Sequence, residues 1–271
     1  LMKLSVSNIA WKDCNFYHYA KLIKDHGCEG VEIAPSCIWE EPINASKKEI
    51  LEFNKNIKKI GLEIVGLHSL LFTRLDLQLF KNKNNRDETI KYIFQLIDIC
   101  SYLEGKQLVF GSPKNRVLHG NNYEKCKSQA VDDFYEISEY SKKKNIYFCI
   151  EPLGPEDTDF ISSVDEGGEF VTRVNHSNFK LHLDTKAIFS TKENPEKITK
   201  KYKNIIQHVH VGDLKLAEPG KINKNHDKVG LALKNINYSK YVSIEMKKDN
   251  DEVEASILRS INYVKENYLN I

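Results

Sequence analysis

The sequence has no run of about eighteen apolar residues, the length a membrane-spanning helix needs. It also has no charged-then-apolar leader at its start, where strand-like Met2-Lys3-Leu4 stands instead. The six cysteines (Cys14, Cys28, Cys37, Cys100, Cys126 and Cys149) are scattered, with no CxxC and no paired spacing. Neither a disulfide framework nor a cysteine-built metal site is expected, and the chain reads as a reduced, cytoplasmic protein with buried thiols. An excess of one charge is missing too, since 40 basic and 38 acidic residues leave only +2. That balance excludes a global field drawing the chain to nucleic acid or to a membrane. No GxGxxG follows the first strand-like run. Gly27 and Gly30 flank Cys28-Glu29 and introduce a strand, not a phosphate loop. No break in composition marks a boundary, so a single domain over residues 1–271 is expected.

What the chain does have is enough apolar sequence (41%, against 29% charged) to build a large core. Short Val/Ile-rich runs recur at residues 3–11, 28–35, 62–71, 106–113, 146–153, 179–185, 205–213 and 241–246. Each is too short for a helix and has Gly or Pro near an end. Segments of helical spacing lie between them, among them 47–61, 86–104 and 130–145. Ile50, Phe53, Ile57 and Ile60 make one apolar stripe with lysines opposite; Ile90, Ile93, Phe94, Ile97 and Cys100 make another. Gly61 and Gly105 follow helices where a left-handed cap is wanted. Eight strands alternating with eight helices predict parallel β-α units, and eight is the number that closes a (β/α)8 TIM barrel. An open doubly wound sheet is the other arrangement such alternation allows.

Chemistry in such a barrel sits at the C-terminal ends of the strands. Read in order, the last four runs end in Glu151-Pro152, Asp184-Thr185, His210 and Glu245. Three carboxylates and an imidazole thus stand at or near the last inward-facing position of otherwise apolar runs. Buried carboxylates crowded together repel one another and raise each other's pKa, and a divalent cation removes both costs. Oxygen donors with one imidazole suit Mn2+, Co2+, Mg2+ or Zn2+. The competing arrangement is a rim of carboxylates paired to Lys or Arg.

The runs FCIEPL, LHLDT, HVHVGD and VSIEM, with GLHSLLF and LVFGSPKNR in the first half, resemble the xylose isomerase-like sugar isomerases and epimerases over nearly the whole chain. The resemblance implies that Glu151, Asp184, His210 and Glu245 bind one divalent metal and that the two glutamates are also the acid/base pair. The implied reaction removes the proton beside a carbonyl and passes through an enediolate held by the cation. Return of the proton on the opposite face gives epimerisation; return to the neighbouring carbon gives isomerisation.

Further residues are expected around the metal. His208 faces the same way as His210 one layer deeper, and His182 stands likewise to Asp184; each either supports a ligand or packs in the core. His68, at the end of the third strand, sits where similar proteins often place a substrate-binding histidine. Glu32 is expected to bind a sugar hydroxyl, to orient His68, or to form a structural ion pair. Lys114 and Arg116, in GSPKNR after the fourth strand, either grip an anionic group of the substrate or form a solvated basic loop. Asp213 and His226 are expected to complete the pocket, and Trp11, Trp39 and Phe72 to wall it or simply to pack. Some related epimerases carry a substrate-gripping histidine just beyond the sixth-strand aspartate and an arginine after the seventh strand. Here Lys186-Ala187-Ile188 and Leu214-Lys215-Leu216 stand there, which points away from a free D-ketohexose and towards Arg116.

The same site also suits a dehydratase of a cyclic polyol ketone or of dehydroshikimate. A DNA-repair endonuclease of related architecture needs more rim histidines, three zinc ions and a basic surface, which this chain lacks. A sugar-binding protein without turnover leaves the four ligands unexplained. The expected partner is therefore a small carbohydrate, anionic or neutral, with no nucleic acid and no membrane; a homo-oligomer is compatible with the fold.

Overall fold

A computed structural model describes residues 1–249 and 252–271. Eight parallel strands close into a barrel: β1 (Lys3–Ser7), β2 (Gly30–Ile33), β3 (Glu63–Leu67), β4 (Gln107–Phe110), β5 (Tyr147–Ile150), β6 (Phe179–Asp184), β7 (Ile206–Val211) and β8 (Tyr241–Ile244). Each pairs with the next, and β8 returns to β1 in the register Lys3↔Tyr241. Every strand falls inside one of the Val/Ile-rich runs, and the open-sheet arrangement is excluded.

The helices are α1 (Phe16–Asp25), α2 (Lys47–Ile60), α3 (Lys83–Tyr102), α4 (Tyr123–Lys143), α5 (Val164–Val174), α6 (Thr185–Thr191), α7 (Pro195–Tyr202), α8 (His226–Asn235) and α9 (Val253–Val264). Helix α2 begins at a reciprocal capping box, Ser46 with Glu49, and buries Ile50, Phe53 and Ile57. It ends at Gly61, whose φ of 88° is the expected left-handed cap. Gly105 is not such a cap. Glu104 takes the left-handed conformation (φ 61°), and Gly105 is small because a Cβ there would lie 2.7 Å from Cys100 Sγ. The connection after β6 holds two helices where one was expected. Lys192 turns left-handed after α6, and Asn194 caps a new start at Pro195.

The outward faces of the strands pack on the helices in a continuous apolar layer, where Phe134 lies against Phe110, Phe148, Phe170 and Phe179. Polar side chains are buried along the strands as well: Ser5, Ser7, Glu32, His182, Asp184, His208, His210 and Ser243. Four of the six cysteines are buried and none is paired. Among the described residues, no helix is long and apolar enough to cross a membrane.

Candidate active site

The sixth and seventh strands set the depth of the site. His182 pairs in register with His208, and Asp184 with His210, so the period of two stacks the four side chains as two adjacent layers. Glu151 and Glu245 stand one residue beyond β5 and β8. The outcome is a compact group in which oxygens of Glu151, Asp184 and Glu245 all lie within 4.8 Å of one another. The β7 imidazole turns its Nδ1 towards them, 3.4 Å from Glu245 Oε2 and 3.9 Å from Glu151 Oε1. Gly111, after β4, makes room: a Cβ there would lie 2.1 Å from Glu151 Oε2.

A second set of contacts holds these groups in place. Glu32, on β2 and fully buried, accepts a hydrogen bond at Oε2 from His210 Nε2 at 2.8 Å. His208 Nε2 stands 3.0 Å from Glu32 Oε1, without hydrogen-bond geometry. His68 Nδ1 contacts Glu245 Oε1 at 3.1 Å, and its Nε2 contacts Ser7 Oγ at 2.5 Å. Glu32 is therefore bonded to His210 and not to His68, whose ring meets Glu245, Ser69 and Ser7.

The electrostatics are uneven. Burial, then Glu245 and Asp184, push the Glu151 carboxyl up to about 8. Burial also raises Asp184, with Glu245 adding to it and Lys186 only partly opposing. For Glu245 burial works in the same sense, but His210 and His68 outweigh it and hold the carboxyl well below its ordinary value. Burial opposes charge on His210, yet Glu32 and Glu245 outweigh it and raise its pKa well above the ordinary value. Asp184 Oδ2 and His210 Nδ1 are buried without a hydrogen bond. Three crowded carboxylates, two of them driven towards their protonated forms, with an unbonded oxygen and an unbonded ring nitrogen, fit a divalent cation in chemistry and in spacing.

Several expectations need correction. Arg116 is fully buried, and its Nη1 donates to the main-chain carbonyl of Glu151 at 2.9 Å. It anchors the β5 rim, while its Nε and Nη2 are buried without a hydrogen bond. Lys114 is exposed, with its carbonyl, not its ammonium, tied down by Gln78. Asp213 is buried and organises its own loop, accepting from the main-chain N–H groups of Leu214, Ile222 and Asn223 at 2.7 to 2.9 Å. His226 is buried at the start of α8, 2.8 Å from the Tyr268 hydroxyl, where burial pushes its pKa down to about 4. Both are buried in contacts within the protein, with His226 Nε2 left without a hydrogen bond. Trp11 is buried and stacks on Tyr19, whereas Phe72 is exposed beyond β3.

One residue at the rim was not anticipated as a partner. Lys186, in the first turn of α6, is largely buried, and its Nζ lies 3.1 Å from Asp157 Oδ2. Asp184, Glu151 and Glu245 all act to raise its pKa. Its place two residues after Asp184 was the available signal.

Comparison with known proteins agrees with this architecture. The model of the xylose isomerase-like TIM barrel family matches residues 20–267. The chain belongs to that family. A D-psicose 3-epimerase of Enterocloster bolteae (strain ATCC BAA-613) is 22% identical over 242 residues, 88% of this chain and 79% of that enzyme. A second enzyme of that name, from Ruminiclostridium cellulolyticum, is 26% identical over 117 residues, and the match spans 40% of its length. A crystal structure of a D-psicose 3-epimerase, obtained in the presence of D-fructose, superposes with a TM-score of 0.81 at 16% identity, covering 98% of this chain and 99% of that one. At this identity the structural likeness establishes the fold, and the site residues must be argued from their own geometry.

Proposed function

We propose that this family member is a divalent-cation-dependent sugar or sugar-phosphate isomerase or epimerase that moves a proton beside a carbonyl. The observation that carries the reading is the convergence of Glu151, Asp184 and Glu245 within 4.8 Å, with His210 turned towards them in a buried site. The similarity to D-psicose 3-epimerases supports the same substrate class.

In this reading Glu151, Asp184, His210 and Glu245 hold the cation. Bound there, it would supply Lewis acidity, acidifying the carbon-bound hydrogen between a carbonyl and an adjoining hydroxyl. Glu151 and Glu245 come from β5 and β8 and serve as the proton-transferring pair, one taking the proton and the other returning it. His68 keeps one oxygen of Glu245 fixed, so that the other is presented to the site. Glu32 fixes the ring of His210 through Nε2 and leaves Nδ1 free to face the carboxylates. Arg116 holds the Glu151 main chain, fixing the origin of that side chain. General acid/base catalysis contributes about 100- to 10,000-fold, so the remainder must come from electrostatic stabilisation by the charged groups of the site.

The test is solvent exchange. The metal-loaded protein is incubated with ketoses and their phosphates in heavy water, and deuterium entering the carbon beside the carbonyl is read by NMR. Exchange that is lost in both Glu151→Gln and Glu245→Gln supports the reading. Full exchange in both variants removes them from the mechanism, and loss of water from the product makes the enzyme a dehydratase.

A further inference from the structure

Below the carboxylate rim lies a second group of donors with a different character. His182 on β6 and His208 on β7 are register partners, and His210 is one layer above. Ring centroids are 5.3 Å apart for His182–His208, 4.1 Å for His182–His210 and 5.3 Å for His208–His210. One nitrogen from each falls within 4.8 Å of the other two. All three rings are fully buried, and neither nitrogen of His182 nor of His208 has a hydrogen bond. A buried polar group left unsatisfied is costly, so unbonded ring nitrogens gathered in one cluster call for a partner.

We propose that His182, His208 and His210 form a second metal site, deeper than the carboxylate rim and selective for Zn2+. Neutral imidazoles are the nitrogen donors zinc accepts, whereas oxygen-rich sites suit Mg2+ and Mn2+. Beside the trio stands Glu32, whose Oε1 is buried, unbonded and 3.0 Å from His208 Nε2. Three imidazole nitrogens supply three of the four positions of a tetrahedral zinc shell. The opposite end of the barrel opens towards this layer. A cavity of about 500 Å³, lined by Lys3, Gln107 and Lys240 near strand N-termini, reaches His208.

His210 belongs to both groups, so zinc held by the imidazoles draws on a ligand that the rim also needs. Excess zinc therefore opposes Mn2+ at the rim; this one consequence rests on the functional reading above, whereas the zinc site itself does not.

The experiment removes the rim and counts zinc. Chelator-stripped Glu151→Gln/Asp184→Asn protein is incubated with Zn2+, desalted and measured by mass spectrometry, with folding followed by circular dichroism. It should retain roughly one zinc per chain, as one tetrahedral site requires. Adding His182→Leu, or separately His208→Asn, should weaken zinc binding by at least the roughly 100-fold that loss of an outer-shell partner alone can cost. Co2+ in the same rim-deficient protein should show the intense visible bands of a tetrahedral, nitrogen-rich site. Folded rim-deficient protein that keeps no zinc overturns the proposal, as does zinc that survives both histidine substitutions. Mn2+ titration of the wild type, read by electron paramagnetic resonance, reports on the rim separately. Failure there would leave the zinc count, and hence this inference, as it was found.

Discussion

Replacing Glu151 with Gln should remove a pH-dependent weakness of the metal-free fold. Burial, Glu245 and Asp184 raise the Glu151 carboxyl from 4.5 to about 8. Between those values the folded protein binds a proton that the unfolded chain has released, so stability falls as pH rises. The contribution is whole below pH 4.5, declines through neutrality and is lost above about 8. At about 1.4 kcal/mol per pH unit the full change is about 5 kcal/mol. Asp184 and Glu245 share the repulsion, so the part that Gln recovers is of order 2–4 kcal/mol. For a chain of this size that corresponds to a melting shift on the order of 10 °C. The assay is thermal unfolding in chelator across pH 4 to 9, followed by circular dichroism. Wild type should lose stability from acid to pH 8.5, and Glu151→Gln should lose much less, the two converging near pH 4. A divalent cation added at pH 8 should restore the wild type. Parallel pH curves for the two proteins would refute the reasoning, because the crowding of carboxylates would then not burden the fold.

Three further outcomes follow from the contacts around the site. Glu32→Gln takes the negative charge from beside His210 Nε2, and cation affinity at the rim should fall about 10- to 100-fold, measurable by calorimetric titration; unchanged affinity would mean that Glu32 does not set the ring. Gly111→Ala places a Cβ 2.1 Å from Glu151 Oε2 and so displaces that oxygen; turnover should fall while the melting temperature in chelator changes little, and unaltered kcat would show that the carboxylate has no fixed position there. Arg116→Ala empties a fully buried site and should destabilise by about 3 kcal/mol or more in urea unfolding, with equal effects on KM for phosphorylated and neutral sugars. A selective rise for the phosphorylated sugar would restore Arg116 as an anion clamp.

The barrel was legible because each strand is a short Val/Ile-rich run bounded by Gly or Pro, and because the helical stripes between the runs have the 3.6-residue period. The convergence of Glu151, Asp184, His210 and Glu245 was legible for the same reason: once eight strands close a barrel, residues at the ends of the last four must share a rim. What the sequence hid depends on distance along the chain. Glu32 and His210 lie 178 residues apart, and no local pattern says that the β2 carboxylate reaches the β7 ring rather than His68. Following Gly, Ser and Pro in a loop, Arg116 reads as an anion grip or part of a solvated basic loop, yet that loop folds inward and the guanidinium finds the Glu151 carbonyl. Asp213 and His226 were placed by position alone, while their partners, three main-chain amides and the Tyr268 hydroxyl, come from later in the chain. Lys186 shows the opposite case, a basic residue beside a rim aspartate in sequence whose weight appears only when three carboxylates gather around it.

The central claim is that the rim holds a divalent cation through its carboxylates. Mn2+ titration of chelator-stripped protein, followed by the free-ion electron paramagnetic resonance signal, tests it most directly. The account predicts binding of roughly one Mn2+ per chain and its loss in Asp184→Ala of unchanged fold. A wild type that leaves the free Mn2+ signal unchanged, or an Asp184→Ala variant that binds Mn2+ as well as the wild type does, would contradict it.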